Sequence, residues 1–246
     1  MHGIFVAAII TTIISIILWG GILYWLSKGS KYFKFVLITV PFSAIVNLFI
    51  KKPVYELALS YFNISPKLNV STPLLFLIFV LFLSPITEEA IKLLPLIVGR
   101  FRRLLSPYSA LWIGFALGVG FGLGEIWYLA WNFSMVPEFA GYPFYYFTGF
   151  MSERMIVVFI HGVMTSVAVV NLLKGWKGGL FGYIYAVLLH ALTNFGAFLY
   201  QIQFLDLTIA SLYILIPVIV NALVFERLRK KILISQEVSE TVYFSR

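Results

Sequence analysis

A long apolar segment of the chain, residues 73–99, contains three ionisable side chains. Glu88, Glu89 and Lys92 all lie in its second half. A charge at the centre of a bilayer costs at least ~2.5 kcal/mol, and adjacent carboxylates also repel each other. On a helix the Lys92 ammonium can reach either carboxylate, because it lies three and four residues further along the chain. One carboxylate can be neutralised in this way. The other needs a proton, a cation or a hydrogen-bond donor from elsewhere in the protein.

Three further apolar segments each contain one acid or imidazole. These residues are Glu125, His161 and His190, and Asn194 follows His190 by one helical turn on the same face. Counted from the basic end of each segment at ~1.5 Å per residue, Glu88, His161 and His190 lie at one level near the membrane midplane. Glu125 lies further toward the opposite side. Four consecutive membrane helices are therefore predicted to bring polar side chains to one site.

This set of residue types indicates hydrolysis, metal binding or proton transfer. Glu88 could act as the base that activates a water for peptide hydrolysis. Two histidines and two carboxylates could instead bind a divalent metal such as Zn²⁺, with the ligands Glu88, Glu125, His161 and His190. A proton-coupled transporter also places glutamate and histidine at the midplane, but the chain shows no paired halves. Polar side chains can also join membrane helices without any reactive role.

The composition indicates an integral membrane protein. Of the 246 residues, 61% are hydrophobic and 11% are charged, whereas soluble domains carry about 25% charged residues. The absence of cysteine excludes disulfides and thiolate metal sites. The fold class is therefore predicted to be all-α, a polytopic transmembrane helix bundle of about seven spans, with a core of four helices carrying the polar site. The predicted spans, each long enough for a ~30 Å hydrocarbon core, are about 4–26, 33–50 with a kink at Pro41, 73–98, 107–131, 152–172, 178–200 and 204–225.

The distribution of Lys and Arg predicts the domain division and the orientation. Residues 1–225 form a single transmembrane helical domain, with its motif-bearing core at about 73–200, and residues 226–246 form a polar cytoplasmic tail. Most cations fall in that tail and in the loops after the first, third and fifth spans. The positive-inside rule then places the C-terminus in the cytoplasm and the N-terminus outside. The exceptions on the opposite side are Lys51, Lys52 and Lys67, with Arg154 near its boundary. This bias accounts for the net charge of +8, and we predict no nucleic-acid partner.

The polar residues also occur in four short motifs. Glu-Glu-x-x-Lys covers 88–92, Phe-x-x-x-Glu covers 121–125, a lone histidine stands at 161, and His-x-x-x-Asn covers 190–194. In order and helix placement these motifs resemble the PrsW-type intramembrane proteases. Those proteases belong with the CAAX prenyl endopeptidases and bacteriocin-processing enzymes in a superfamily of glutamate-dependent membrane proteases.

Two residues resemble the PrsW branch of that superfamily in particular. The CAAX branch usually has histidine where this chain has Glu125, and its first motif ends in arginine, whereas this motif ends in Lys92. The PrsW branch commonly has aspartate at the position of Asn194, and the CAAX branch also uses asparagine there. The resemblance covers about residues 73–200.

The resemblance implies an intramembrane endopeptidase of the cell membrane. Its partners would be a membrane protein or lipidated peptide substrate and the lipid bilayer. It implies a glutamate-type mechanism with no cofactor, and a divalent metal such as Zn²⁺ is the alternative. Glu88 is expected to activate the water with Glu125 or His161 as its partner, and His190 with Asn194 to stabilise the oxyanion. The full set of implied catalytic residues is Glu88, Glu89, Glu125, His161, His190 and Asn194.

Overall fold

The protein is a bundle of helices. The computed structural model describes the backbone of residues 2–244 and the side chains of residues 2–234, and no strand occurs in that part of the chain. Helices make up 83% of the structure, which confirms the predicted all-α bundle of seven spans. We number the spans 1 to 7 in chain order. By length and apolar composition the spans are Gly3–Leu26, Phe33–Phe62, Leu74–Ile97, Pro107–Ser134, Phe144–Leu172, Gly175–Gln201 and Leu207–Ile234.

Span 2 is longer than predicted and is not a uniform α-helix. Its segments are Phe33–Thr39, Phe42–Val46, the π-helical turn Asn47–Lys51 and Lys52–Phe62. The first break falls at Pro41, the predicted kink, because proline cannot donate a backbone hydrogen bond. π-helical turns are rare and are frequent at functional sites. Lys51, expected near a loop, therefore lies inside a membrane span.

The other spans are mainly α-helical. Span 1 has a π-helical turn, Ile16–Gly20, between the helices Gly3–Ser15 and Gly21–Leu26. From span 3 onward the α-helices are Leu74–Leu93, Gly99–Arg102, Pro107–Ser134, Thr148–Leu172, Gly175–Gln201, Leu207–Tyr213 and Leu215–Phe244, and the 3-10 turns are Leu94–Ile97, Pro137–Phe139 and Phe144–Phe147. The last helix continues beyond span 7 into the predicted cytoplasmic tail, residues 226–246, whose end lies outside the described residues. The division at residue 225 stays a prediction.

Span 4 is the centre of the bundle. It begins at a capping box in which the Ser106 hydroxyl accepts a hydrogen bond from the Ser109 amide at 3.2 Å. Pro107 occupies the first helical position, where its missing N–H is not needed. Of the 18 residues in its apolar window, 89% are buried, compared with 67% in span 5 and less in the others. Spans 1, 2 and 5 pack directly against this helix, and span 6 reaches the site by packing on spans 5 and 3.

Glycines let the neighbouring backbones approach span 4 on two sides. A Cβ at Gly118 would overlap the backbone carbonyl of His161 on span 5, and one at Gly124 would overlap that of Val40 on span 2. Gly114 packs against span 5 in the same way. Small residues at four-residue spacing permit this proximity between membrane helices. The glycines thus fix the distance between span 4 and the backbone that carries His161.

The outer surface of the bundle is apolar. Large hydrophobic side chains are exposed there, including Trp25 and Leu75 at 83%, Leu37 at 74% and Phe181 at 72%. Soluble proteins rarely expose contiguous apolar patches of this kind. Together with the seven apolar spans, this surface identifies an integral membrane protein.

The orientation predicted from the loop charges can be tested with single cysteines, because the chain contains none. Gly141 lies in the loop after span 4 and Gly99 after span 3, and a Cβ at either position meets nothing within 4 Å. We expect a membrane-impermeant maleimide to label Gly141→Cys in intact cells, and Gly99→Cys only after permeabilisation. The opposite labelling pattern would contradict the predicted topology.

Candidate active site

Spans 3, 5 and 6 bring three predicted site residues to one point. Glu88, His161 and His190 are each at most 3% exposed. A carboxylate oxygen and one nitrogen of each ring lie within 4.8 Å of one another. Residues that are far apart in the sequence therefore share one buried polar site.

The two oxygens of the Glu88 carboxylate have different surroundings. Oε1 accepts a hydrogen bond from Lys51 Nζ at 2.7 Å. Oε2 is buried, has no hydrogen-bond partner among the described residues, and lies 3.7 Å from His190 Nε2. An unsatisfied buried acceptor costs about 1–3 kcal/mol. Oε2 is therefore the Glu88 oxygen that is available to bind a further group.

Glu89 holds His190 in one tautomer. His190 Nδ1 lies 2.8 Å from Glu89 Oε1, and an ionised carboxylate only accepts, so Nδ1 carries the hydrogen. In the neutral ring, Nε2 then presents its lone pair toward Glu88. The two adjacent glutamates reach opposite nitrogens of one ring, although neighbouring helical positions point ~100° apart.

His161 has both ring nitrogens engaged. Lys92 Nζ donates to Nδ1 at 2.8 Å, because an ammonium has no lone pair with which to accept. Nε2 therefore carries the hydrogen and donates to Glu125 Oε2 at 3.1 Å. The rings of His161 and His190 are 5.1 Å apart in an edge-to-face arrangement.

Lys92 is the innermost cation of the site. Its side chain is fully buried, donates to Glu89 Oε1 at 2.7 Å, and lies 4.5 Å from the centre of the Phe121 ring. An ammonium in such a position is attracted by the negative face of the ring. Of the two carboxylates that Lys92 could reach, it pairs with Glu89, and this pair faces the interior of the site. Glu89 thus orients His190 and Lys92.

Two site cations were not identified as such from the sequence. Lys51 comes from the π-helical turn of span 2. Arg154 comes from span 5, where Nη1 donates to Glu125 Oε2 at 2.9 Å and Nη2 to Glu153 Oε1 at 2.7 Å. The sequence did carry a signal for them. Both are exceptions to the positive-inside rule, because they lie on the side of the membrane where few cations are expected.

The charges of the inner site balance. Three carboxylates and three cations meet there: Glu88, Glu89 and Glu125 with Lys51, Lys92 and Arg154. Burying an unpaired ion costs several kcal/mol, so this pairing is what makes the cluster tolerable inside the membrane. Lys51, Glu125 and Arg154 keep side-chain exposures of 19%, 15% and 12%, whereas the other three are at most 2% exposed. The accessible side of the site is therefore the one formed by spans 2, 4 and 5.

Asn194 takes less part in this arrangement than its motif predicted. Its side chain is half-buried and has no hydrogen bond to any described residue. It lies one turn from His190 on the same helix, outside the bonded cluster.

A family model described as PrsW family intramembrane metalloprotease matches residues 4–224. The chain belongs to the PrsW family. The match extends beyond the four motifs at 73–200 to cover spans 1 and 2 and most of span 7, so the helix that carries Lys51 is part of the family fold. No curated protein and no solved structure matches the chain. The membrane-protease class predicted from the motifs is confirmed at the level of the family.

The PrsW family description names a metalloprotease, and the donor chemistry of the site fits a divalent ion. Glu88, His161 and His190 form a two-histidine, one-carboxylate set, which is common at catalytic zinc. His190 is already arranged as a ligand, because Glu89 binds its far nitrogen and leaves Nε2 available. Glu88 Oε2 is also free. His161 would have to give up one of its two hydrogen bonds to bind the ion.

Lys92 should be essential for the stability of this cluster. We expect Lys92→Met to lower the free energy of unfolding by about 3–5 kcal/mol, because it leaves the Glu89 carboxylate buried without its cation. The double variant Glu89→Gln/Lys92→Met removes both charges and should recover part of the loss. Unfolding in detergent would measure both.

A matched control for this prediction is Lys52→Met. Lys52 also pairs with a glutamate, Glu56, but both side chains are more than 60% exposed. If Lys92→Met and Lys52→Met unfolded alike, the structural role assigned to Lys92 would be wrong.

Proposed function

We propose that this PrsW family member is an endopeptidase in which Glu88 activates the water that hydrolyses a peptide bond within the membrane. The observation that carries the proposal is the pair of acceptors Glu88 Oε2 and His190 Nε2, buried and 3.7 Å apart. A water ~2.8 Å from both atoms would donate one hydrogen to each. Its lone pairs would then point away from the two acceptors, toward an approaching carbonyl carbon.

The reaction needs a base, a stabilised oxyanion and a proton for the leaving amine. Glu88 accepts a proton as the water oxygen bonds to the carbonyl carbon, and the carbonyl π electrons move onto the oxygen. The oxyanion then re-forms the carbonyl double bond as the C–N bond breaks. The electron pair of the C–N bond stays on nitrogen, and the proton held by Glu88 passes to that amine. The carboxylate is then ready for a second turnover.

His190 is the partner of Glu88 in this mechanism. The sequence left Glu125 and His161 open for that role, but both nitrogens of His161 are engaged and Glu125 is bonded to His161 and Arg154. Both instead complete the cluster around Lys92 and Arg154. Glu89, Glu125 and His161 are thus proposed as positioning residues, which hold the tautomer and location of the His190 and Glu88 groups.

The substrate is proposed to be a membrane-embedded or membrane-anchored protein, or a lipidated peptide. All the partly exposed site residues belong to helical spans, so a substrate in the bilayer can reach them from the side of spans 2, 4 and 5. The proposed location is the cell membrane, with the N-terminus outside and the C-terminus in the cytoplasm.

A metal-dependent form of the same reaction is the second candidate, supported by the family description and the donor set. Glu88, His161 and His190 would hold a divalent ion such as Zn²⁺. Such an ion acidifies bound water and polarises a carbonyl. Glu89 would keep the same task, since it fixes the His190 ring in both cases.

Replacing Glu88 tests the base directly. We expect Glu88→Gln to lower peptide cleavage by at least ~100-fold without unfolding the bundle, because the amide cannot accept a proton from water. Cleavage of single-span fluorophore–quencher peptides in phospholipid vesicles measures the rate. Glu89→Gln should reduce the cleavage rate less than Glu88→Gln does, or reduce it by destabilising the fold. Glu56→Gln, at an exposed ion pair, is the control. Full activity in a folded Glu88→Gln protein would end this mechanism.

Chelation separates the two candidates. We expect cleavage by the wild-type protein to survive 1,10-phenanthroline, because Glu88 and His190 can hold the water between them. Elemental analysis of the purified protein gives an independent measure of bound metal. Loss of activity on chelation, restored by Zn²⁺, would favour the metal-dependent form.

A further inference from the structure

The proposed reaction lacks a donor for the oxyanion among the two histidines. The N–H of His190 is used by Glu89, and the N–H of His161 is used by Glu125. The remaining nitrogens are an acceptor facing Glu88 and an acceptor bonded to Lys92. With both rings neutral, neither imidazole has a hydrogen to offer a developing negative charge. The oxyanion then needs another donor, either the Asn194 amide, which lies one turn from His190 outside the bonded cluster, or a site cation.

Lys51 has donors to spare on the accessible side of the site, whereas the third donor of Lys92 and the unpartnered Nε of Arg154 are buried. Lys92 contacts Glu89 and His161, and Arg154 contacts two carboxylates. Among the described residues, Lys51 has a single partner, Glu88 Oε1. An ammonium carries three donors, so two of them are not used by this contact. Its side chain is also the most exposed of the three cations, at 19%.

Lys51 is also close enough to the proposed water site to contact the oxygen of a carbonyl that the water attacks. Lys51 binds Oε1 of Glu88, while the proposed water binds Oε2 of the same carboxylate. The ammonium and the attacking water therefore lie at opposite oxygens of one group. A carbonyl brought to that water can direct its oxygen toward Lys51, on the accessible side of the site.

We propose that Lys51 is a catalytic residue whose ammonium donates a hydrogen bond to the scissile carbonyl oxygen and to the oxyanion that forms from it. This role rests on the proposed function. As the water oxygen bonds to the carbonyl carbon, the π electrons move to the carbonyl oxygen, and Lys51 stabilises that charge without losing its proton. Charge-assisted donors are about twice as strong as neutral ones. The π-helical turn Asn47–Lys51 is the local feature that brings this cation to the site.

The first test is Lys51→Met, which removes the charge and keeps the length of the side chain. Loss of one oxyanion donor typically lowers kcat by ~10²–10³, and we expect that decrease with KM changed by less than ~3-fold. Lys52→Met is the matched control, because this neighbour is exposed and pairs with Glu56. Its kcat should remain at the wild-type value.

Chemical rescue separates a missing charge from a damaged fold. The chain has no cysteine, so Lys51→Cys can be alkylated at one position only. Treatment with 2-bromoethylamine restores an ammonium at nearly the length of lysine and should recover at least ~10-fold in kcat within the same folded sample. Treatment with iodoacetamide adds a neutral group and should recover none.

An inhibitor that mimics the tetrahedral intermediate tests whether Lys51 binds the oxyanion or only holds Glu88 in place. The probe is a difluoroketone analogue of the peptide that the wild-type protein cleaves, since its hydrate carries a tetrahedral centre. Lys51→Met should weaken inhibition by the same factor as it lowers kcat/KM, as transition-state binding requires. Unchanged inhibition alongside a lower kcat would show that Lys51 only holds Glu88, and would overturn the proposal.

Two further outcomes are decisive. If the wild-type protein cleaves the peptides and Lys51→Met retains its kcat, the role of Lys51 is wrong while the proposed function stands. If the wild-type protein cleaves none of the peptides, the proposed function fails and the role of Lys51 fails with it.

Discussion

The structure depends on the mutual neutralisation of six charges inside a membrane bundle. Each of these ions would be costly if it were buried alone, so each needs a partner supplied by another part of the fold. The resulting contacts run from Lys51 through Glu88, His190, Glu89, Lys92, His161 and Glu125 to Arg154. Removing one member leaves its neighbour uncompensated. The cluster therefore ties five spans together as well as forming the site.

Span 4 makes this cluster geometrically possible. Its glycines let the backbones of spans 2 and 5 approach closely, and a Cβ at Gly118 would collide with the carbonyl of His161 itself. The short distance between helices lets side chains of ordinary length meet across the bundle. The same closeness excludes lipid and water from Lys92 and Glu89, which raises the strength of every electrostatic contact between them.

The contacts also decide which atoms can react. Glu89 and Lys92 fix the tautomers of the two histidines, and Glu125 occupies the N–H of His161. The groups left without a hydrogen bond include one oxygen each of Glu88 and Glu89, the His190 nitrogen that faces Glu88, Nε of Arg154 and the spare donors of Lys51. Most of the polar residues thus position others. Glu88 and His190 are shared by the proposed glutamate base and by the ligand set that the metalloprotease description of the family suggests.

The sequence by itself determined the all-α class, the seven spans and the helices that carry Glu88, Glu125, His161 and His190. Hydropathy and helical depth are local properties of a segment, so they can be read along the chain. Only the tertiary structure decided the pairing of Lys51 with Glu88, the inward position of Glu89 and the contacts of Arg154. These depend on the rotation of each helix about its axis and on backbone distances set by glycine packing. A π-helical turn changed that rotation in span 2, and no short-range pattern in the sequence revealed it.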